Sequence, residues 1–176
     1  NYVPGARIVI RGSDSQDRSE IVGVDGKAIR INGLGGVTFY DLDVTDGVLY
    51  TYACNQIEVV RCNFLNRYLY TSTEIGYCID LAYHKAILPP LDKNVAGHLI
   101  QDCTIEGASK IRSTDGGFGP YYGVMIKDRP GEGVIIRRNV IKNFKGDGLC
   151  VTGGTTDEGT GPFLPFYSFD VRKIWP

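Results

Sequence analysis

An octet recurs four times along this chain, and it limits the possible folds more than any other feature. It reads Val37-Thr38-Phe39-Tyr40-Asp41-Leu42-Asp43-Val44, and then spans Ile57 to Phe64, His98 to Ile105 and Val134 to Ile141. Aligned by position, four columns are mostly apolar: Val37/Ile57/His98/Val134, Phe39/Val59/Ile100/Ile136, Leu42/Cys62/Cys103/Asn139 and Val44/Phe64/Ile105/Ile141. The residues between them are mostly polar. Period-two alternation signals a strand, and the slip between the third and sixth positions marks a bend between two short strands.

Before, between and after the octets lie five short segments that each open on glycine: 26–31, 47–52, 76–81, 123–128 and 148–152. A glycine suits a tight corner or a left-handed backbone position, and each segment continues as a short apolar alternation. Octet starts are separated by 57 − 37 = 20, 98 − 57 = 41 and 134 − 98 = 36 residues. A unit of about 20 or more residues that cannot bury its apolar side alone reads as a stacked repeat, here an all-β parallel β-helix.

The octets resemble the repeats of right-handed parallel β-helices of the pectate-lyase-like and tailspike-like group, whose strands follow I-x-I-x-x-N-x-I. Val134 to Ile141 matches that pattern most closely, with Asn139 at the place where such proteins stack asparagines in a buried turn. Residues 6–12 and 19–23 resemble their opening coil. The resemblance covers about residues 6 to 153 and implies an all-β, right-handed single-stranded parallel β-helix, a short solenoid of about five coils. On that reading 1–24 is an entry coil, 25–153 holds the coils with long loops in the third, and 154–176 is a linker and aromatic tail. For activity the resemblance implies little, because this architecture carries lyases, hydrolases, epimerases and structural proteins. Paired aspartates followed by G-H-G and R-I-K, as in polygalacturonases, do not occur, nor does a calcium-lyase aspartate cluster, so no catalytic residue is carried over.

Composition is that of an ordinary globular domain, 43% hydrophobic and 22% charged, with a net charge of −1. That balance gives no electrostatic grip on nucleic acid. No apolar run approaches the roughly 20 residues that span a bilayer. The chain opens on Asn1, which reads as processing or excision. Five cysteines lack any C-x-x-C spacing, which argues against zinc. Cys62 and Cys103 share a column and are either a disulfide pair or buried thiols. Asp14 and Asp17 lack the glycine and glutamate of a calcium loop and read as a solvated turn. No cofactor and no metal is expected.

In the glycine-led strands, placing Ile29/Ile31, Tyr50/Tyr52, Ile79/Leu81, Ile126 and Val151 inward leaves an outward column of Arg30, Thr51, Asp80, Lys127 and Thr152. A carboxylate between cationic neighbours is what a sugar-acid site needs, so Asp80, Lys127 and His84 are the candidate catalytic residues. The same pattern also serves as plain cross-strand charge matching. Arg30, Lys85, Tyr83, Phe118, Tyr121 and Tyr122 are the candidate substrate-binding residues. Possible second carboxylates for a glycosidase pair are Glu74, Asp102, Asp115 and Asp147. His98, in an inward column, reads as a packed histidine rather than a ligand.

Two functions fit. One is an extracellular module, or one on a cell or virion surface, that recognises a polysaccharide and, if an enzyme, cleaves it as a lyase or glycoside hydrolase. The other is a structural protein that self-assembles into a filament or virion component without catalysis. In the second case Phe163, Phe166, Tyr167, Phe169 and Trp175 of the tail form an assembly arm, whereas in the first they cap the fold.

Overall fold

The computed structural model describes residues 7–13, 18–52, 54–71, 76–82, 97–108, 119–127, 134–151 and 168–169. Among them the chain is all-β, with only parallel pairing between strands. One sheet holds β1 (Ile8–Arg11), β3 (Gly35–Tyr40), β5 (Asn55–Val60), β8 (Leu99–Gln101), β11 (Ile135–Arg137) and β14 (Ser168–Phe169), in that spatial order. The other holds β2 (Ser19–Asn32), β4 (Leu42–Tyr52), β6 (Asn63–Leu65), β7 (Tyr77–Ala82), β9 (Thr104–Glu106), β10 (Tyr122–Lys127), β12 (Val140–Lys142) and β13 (Leu149–Val151). Its path runs β12-β9-β6-β4-β7-β10-β13, with β2 on β4.

Each octet is shared between the sheets. Its second to fourth residues belong to one sheet, its seventh and eighth to the other, and its fifth residue turns the chain. Asp41, Arg61, Asp102 and Arg138 occupy that fifth position with φ of 56°, 52°, 55° and 54°. A non-glycine residue held there costs about 1–2 kcal/mol, so each corner needs compensation. Backbone bonds supply part of it: Asp41 N–H donates to Val60 O, Arg61 N–H to Gln101 O and Asp102 N–H to Arg137 O. The alternation of acid and base along the corner supplies more. Arg61 grips Asp41 through two bonds of 2.8 Å, and Arg138 grips Asp102 at 2.6 and 2.7 Å. The Arg138 and Gln101 bonds bring the Asp102 carboxyl down to about 2.

All four octet columns are buried throughout. Val59, Ile100 and Ile136 are in direct register across the first sheet, as are Val44, Phe64, Ile105 and Ile141 across the second. Stacking identical columns is what removes this apolar surface from water, since a three-residue strand has too little surface of its own to bury. Asn139 sits in the Cys62/Cys103 column with both ends of its amide used: Oδ1 accepts from Cys103 N–H at 2.8 Å and Nδ2 donates to Ile100 O at 2.9 Å.

The solenoid of coils implied by the pectate-lyase-like and tailspike-like resemblance is not what forms. The two parallel sheets stack on each other, and seven strands of the larger one curl through 278°, close to a closed barrel. The cause lies in β2 and β4. Corners were expected at Gly26 and at Asp46-Gly47, yet both strands run through these points, and Asp25, Gly26 and Asp46, with φ of 51°, 71° and 53°, bend the strand without ending it. β4 then pairs with β6 through Asp43–Thr45 and with β7 through Leu49–Tyr52, so one continuous sheet wraps the core.

A second correction concerns phase. Over the last four residues of β4, Leu49 and Thr51 are buried and Tyr50 and Tyr52 partly exposed, the reverse of the expected assignment. Leu49 aligns with Ile29 and Ile79, and Thr51 with Ile31 and Leu81. A one-residue slip exchanges the faces of a strand, and a segment with Tyr and Thr at alternate positions carries no strong preference of its own.

Candidate functional site

The phase of β4 rebuilds the site. Arg30, Tyr50, Asp80, Met125 and Cys150 form one row across β2, β4, β7, β10 and β13. The expected column of Arg30, Thr51, Asp80, Lys127 and Thr152 does not form. Thr51 is buried in the next row, Lys127 pairs with Ala82 on the strand backbone, and Thr152 lies outside the described residues. Asp80 therefore stands between Tyr50 and Met125 rather than between cations, and it is 1% exposed rather than open to solvent. Burying a carboxylate is expensive unless polar partners serve it, so this placement makes Asp80 a guarded position in the fold.

His84, Tyr83, Lys85 and Phe118 lie outside the described residues, as do Glu74 and Asp115 among the second carboxylates and the tail residues Phe163, Phe166, Tyr167 and Trp175. Of the other candidate carboxylates, Asp102 is committed to Arg138 at an octet corner, and Asp147 is exposed before β13. Phe169 belongs to β14, in register with Ile136, so this part of the tail adds a strand to its own chain's sheet.

What gathers instead is tyrosine. Tyr77 and Tyr122 are in register on β7 and β10, and their rings lie parallel, 6.0 Å apart with 11° between planes. Tyr121 meets Tyr122 edge-on at 4.7 Å and carries Lys145 Nζ 5.6 Å above its ring. Tyr68 and Tyr70 meet edge-on at 4.9 Å in the segment after β6. Asn66, fully buried, fixes that segment: its Nδ2 donates to Tyr70 Oη and to Tyr77 O, and its Oδ1 accepts from Tyr68 N–H. On β4, Tyr50 and Tyr52 stack at 6.5 Å, and the Arg30 guanidinium sits 5.6 Å from the Tyr50 ring.

Two glycines make this clustering possible. A Cβ at Gly76 would fall 2.1 Å from the Tyr70 ring, and one at Gly146 would fall 2.0 Å from the Tyr121 ring. The rings lie flat on bare backbone. Of these tyrosines only Tyr121 and Tyr122 are on the list drawn from sequence; Tyr50, Tyr52, Tyr68, Tyr70 and Tyr77 are not. The available signal was the recurrence of glycines near them in the chain, whose meaning depends on which ring each glycine faces.

Along β7, Tyr77 precedes Asp80 by three residues, about 10 Å of extended chain. The Tyr77, Tyr121 and Tyr122 group offers flat aromatic surface with hydroxyl tips and a nearby cation at Lys145, suited to ligands that combine apolar faces with hydroxyl groups. Among the described residues no group of three or more His, Cys, Asp or Glu side chains stands together.

His98 is buried, and its Nδ1 accepts a hydrogen bond from Ile57 N–H at 3.3 Å. Burial holds its pKa down at about 4, against a small opposing effect of that bond. It is a neutral packing histidine. The cysteines form no disulfide. Cys62 and Cys103 are buried thiols that donate to nearby carbonyls, and burial raises Cys103 to about 12.

No family model, no curated protein and no solved structure matches this chain.

Proposed function

We propose that this protein is a polysaccharide-recognising module of the extracellular space or of a cell or virion surface. One observation carries the reading: the tyrosine cluster around the parallel Tyr77–Tyr122 pair, with Tyr121 exposed beside it under Lys145. A pyranose ring presents C–H groups on its faces and hydroxyls at its rim. Tyrosine answers both, with an apolar ring for the face and a phenol for the rim, at the cost of few rotatable bonds. Tyr50, Tyr52 and Arg30 form a separate group in the alternate rows of the same sheet and are not part of this surface.

Cleavage is not part of this proposal. Hydrolysis of a glycosidic bond calls for two carboxyl groups about 5–9 Å apart on either side of it. Asp80 is buried between Tyr50 and Met125, and Asp102 is held by Arg138. The test is a glycan array probed with the full chain, the Tyr77→Ala/Tyr122→Ala double variant and Asp80→Asn. Binding to a defined set of glycans that the tyrosine variant loses at least tenfold, with turnover absent throughout, is the expected result. Binding that survives the double substitution, or no binding at all, removes the proposal.

A further inference from the structure

The described parts of the connections β6–β7, β9–β10 and β12–β13 lie one on another along one side of the fold. Tyr121 N–H donates to Gly76 O at 2.8 Å, and Gly146 N–H donates to Tyr121 O at 2.9 Å. Gly123 N–H donates to Asp147 O at 3.3 Å, which sets Asp147 beside Tyr122 as Tyr122 stands beside Tyr77. Successive layers therefore carry Tyr70 and Tyr77, then Tyr121 and Tyr122, then Lys145 and Asp147, over two strand spacings or about 10 Å. The aromatic layers end on an exposed ammonium and an exposed carboxylate. Lys145 Nζ is 5.6 Å from the centre of the Tyr121 ring. Burial first, then Cys150, Tyr121, Asp147 and Tyr77, push the Tyr122 phenol above its ordinary value, so it keeps its proton and can donate. Charge on this side is balanced among the described residues: Arg67 pairs with Asp46 at 2.7 Å, Lys142 pairs with Glu106 at 3.0 Å, and Lys145 and Asp147 add one of each sign.

We infer that Lys145 and Asp147 complete the tyrosine site and make it selective for a neutral glycan with adjacent free hydroxyls, over one bearing carboxylate or sulfate groups. The inference rests on the polysaccharide reading above and names the class of glycan. Asp147 can only accept hydrogen bonds and Lys145 can only donate them, whereas a hydroxyl does both. Two neighbouring hydroxyls of a ring held at Tyr121 and Tyr122 satisfy the pair together, one donating to the carboxylate and the other accepting from the ammonium. Bonds to charged groups are roughly twice as strong as neutral ones, so this end of the site rewards free hydroxyls. An anionic sugar that reaches Lys145 brings its charge against Asp147, two residues along the chain. Like charges set together count against the wrong ligand, so the carboxylate rejects what the ammonium alone would attract.

A glycan array carrying neutral, uronate-bearing and sulfated members, probed with the full chain, tests this. The expected binders are neutral glycans, and Asp147→Ala and Lys145→Ala are each expected to weaken their binding at least tenfold. Asp147→Lys, which removes the acid and adds a cation, is expected to move binding toward the anionic members. Both positions are exposed, so the variants are expected to keep the wild-type circular dichroism spectrum and melting temperature. Should a variant at one position unfold, the other position decides alone. Anionic glycans bound in preference by the wild type overturn the inference while the polysaccharide reading stands. So do neutral glycans whose binding neither alanine variant lowers, and so does an Asp147→Lys variant that keeps the wild-type preference. A wild-type chain that binds no glycan removes both.

Discussion

Acid should weaken this fold through one residue before its carboxylates are touched. His98 is buried and neutral, with its pKa lowered from 6.5 to about 4 because burial penalises the imidazolium. A group whose folded pKa is depressed contributes stability that is whole above its unfolded pKa and is lost as pH falls toward the folded one. The window is therefore pH 6.5 to 4. The gap of about 2.5 pH units, at 1.36 kcal/mol for each, is worth roughly 3 kcal/mol in all, and roughly 2 kcal/mol of it is gone by pH 5. That is a large part of a typical domain stability of about 5–15 kcal/mol. The perturbation is His98→Asn, whose side-chain oxygen can accept from Ile57 N–H where Nδ1 does now, but which has no proton to gain. Urea unfolding at pH 8, 7, 6 and 5, followed by circular dichroism, gives stability for both proteins. The wild type should lose roughly 2 kcal/mol between pH 8 and 5, and the variant should lose close to none of that share. Asp41, Asp46 and Asp102, whose pKa values are lowered chiefly by arginine hydrogen bonds, act only below about pH 4 and do not enter the window. Parallel pH curves for the two proteins would refute the account of His98.

Phe64→Ala, in the centre of the second sheet's core column, should cost about 3–5 kcal/mol in urea unfolding, and a loss below about 1 kcal/mol would show that the site is not packed as described. Gly76→Ala should destabilise by about 1–3 kcal/mol because the new methyl meets the Tyr70 ring, and the paired Gly76→Ala/Tyr70→Ala variant should recover part of that loss in the same assay. Arg138→Gly should change stability by less than about 1 kcal/mol, since relief of the left-handed backbone offsets the loss of an exposed ion pair with Asp102; a larger loss would mean that the corner pairs hold the fold.

The sequence alone determined the core of this protein. Four octets place apolar residues at fixed positions, and every column is buried, because period-two alternation and a turn at the fifth residue are local properties that each stretch carries with it. His98 as a packed residue was legible for the same reason, whereas a buried turn at Asn139 was implied only by the family resemblance. Tertiary structure alone decided the phase of β4, the curl of the larger sheet and the surroundings of Asp80. In 47–52 the apolar body of tyrosine and the small polar threonine suit either face, so only pairing with Ile29, Ile31, Ile79 and Leu81 chooses Leu49 and Thr51 as inward. That choice turned Tyr50 and Tyr52 outward and set Asp80 beside Tyr50 and Met125. The tyrosine cluster was hidden in the same way: a glycine shows that a backbone is bare, but which ring rests on it depends on segments brought together from far apart in the chain, as with Tyr68 and Gly26, 68 − 26 = 42 residues apart.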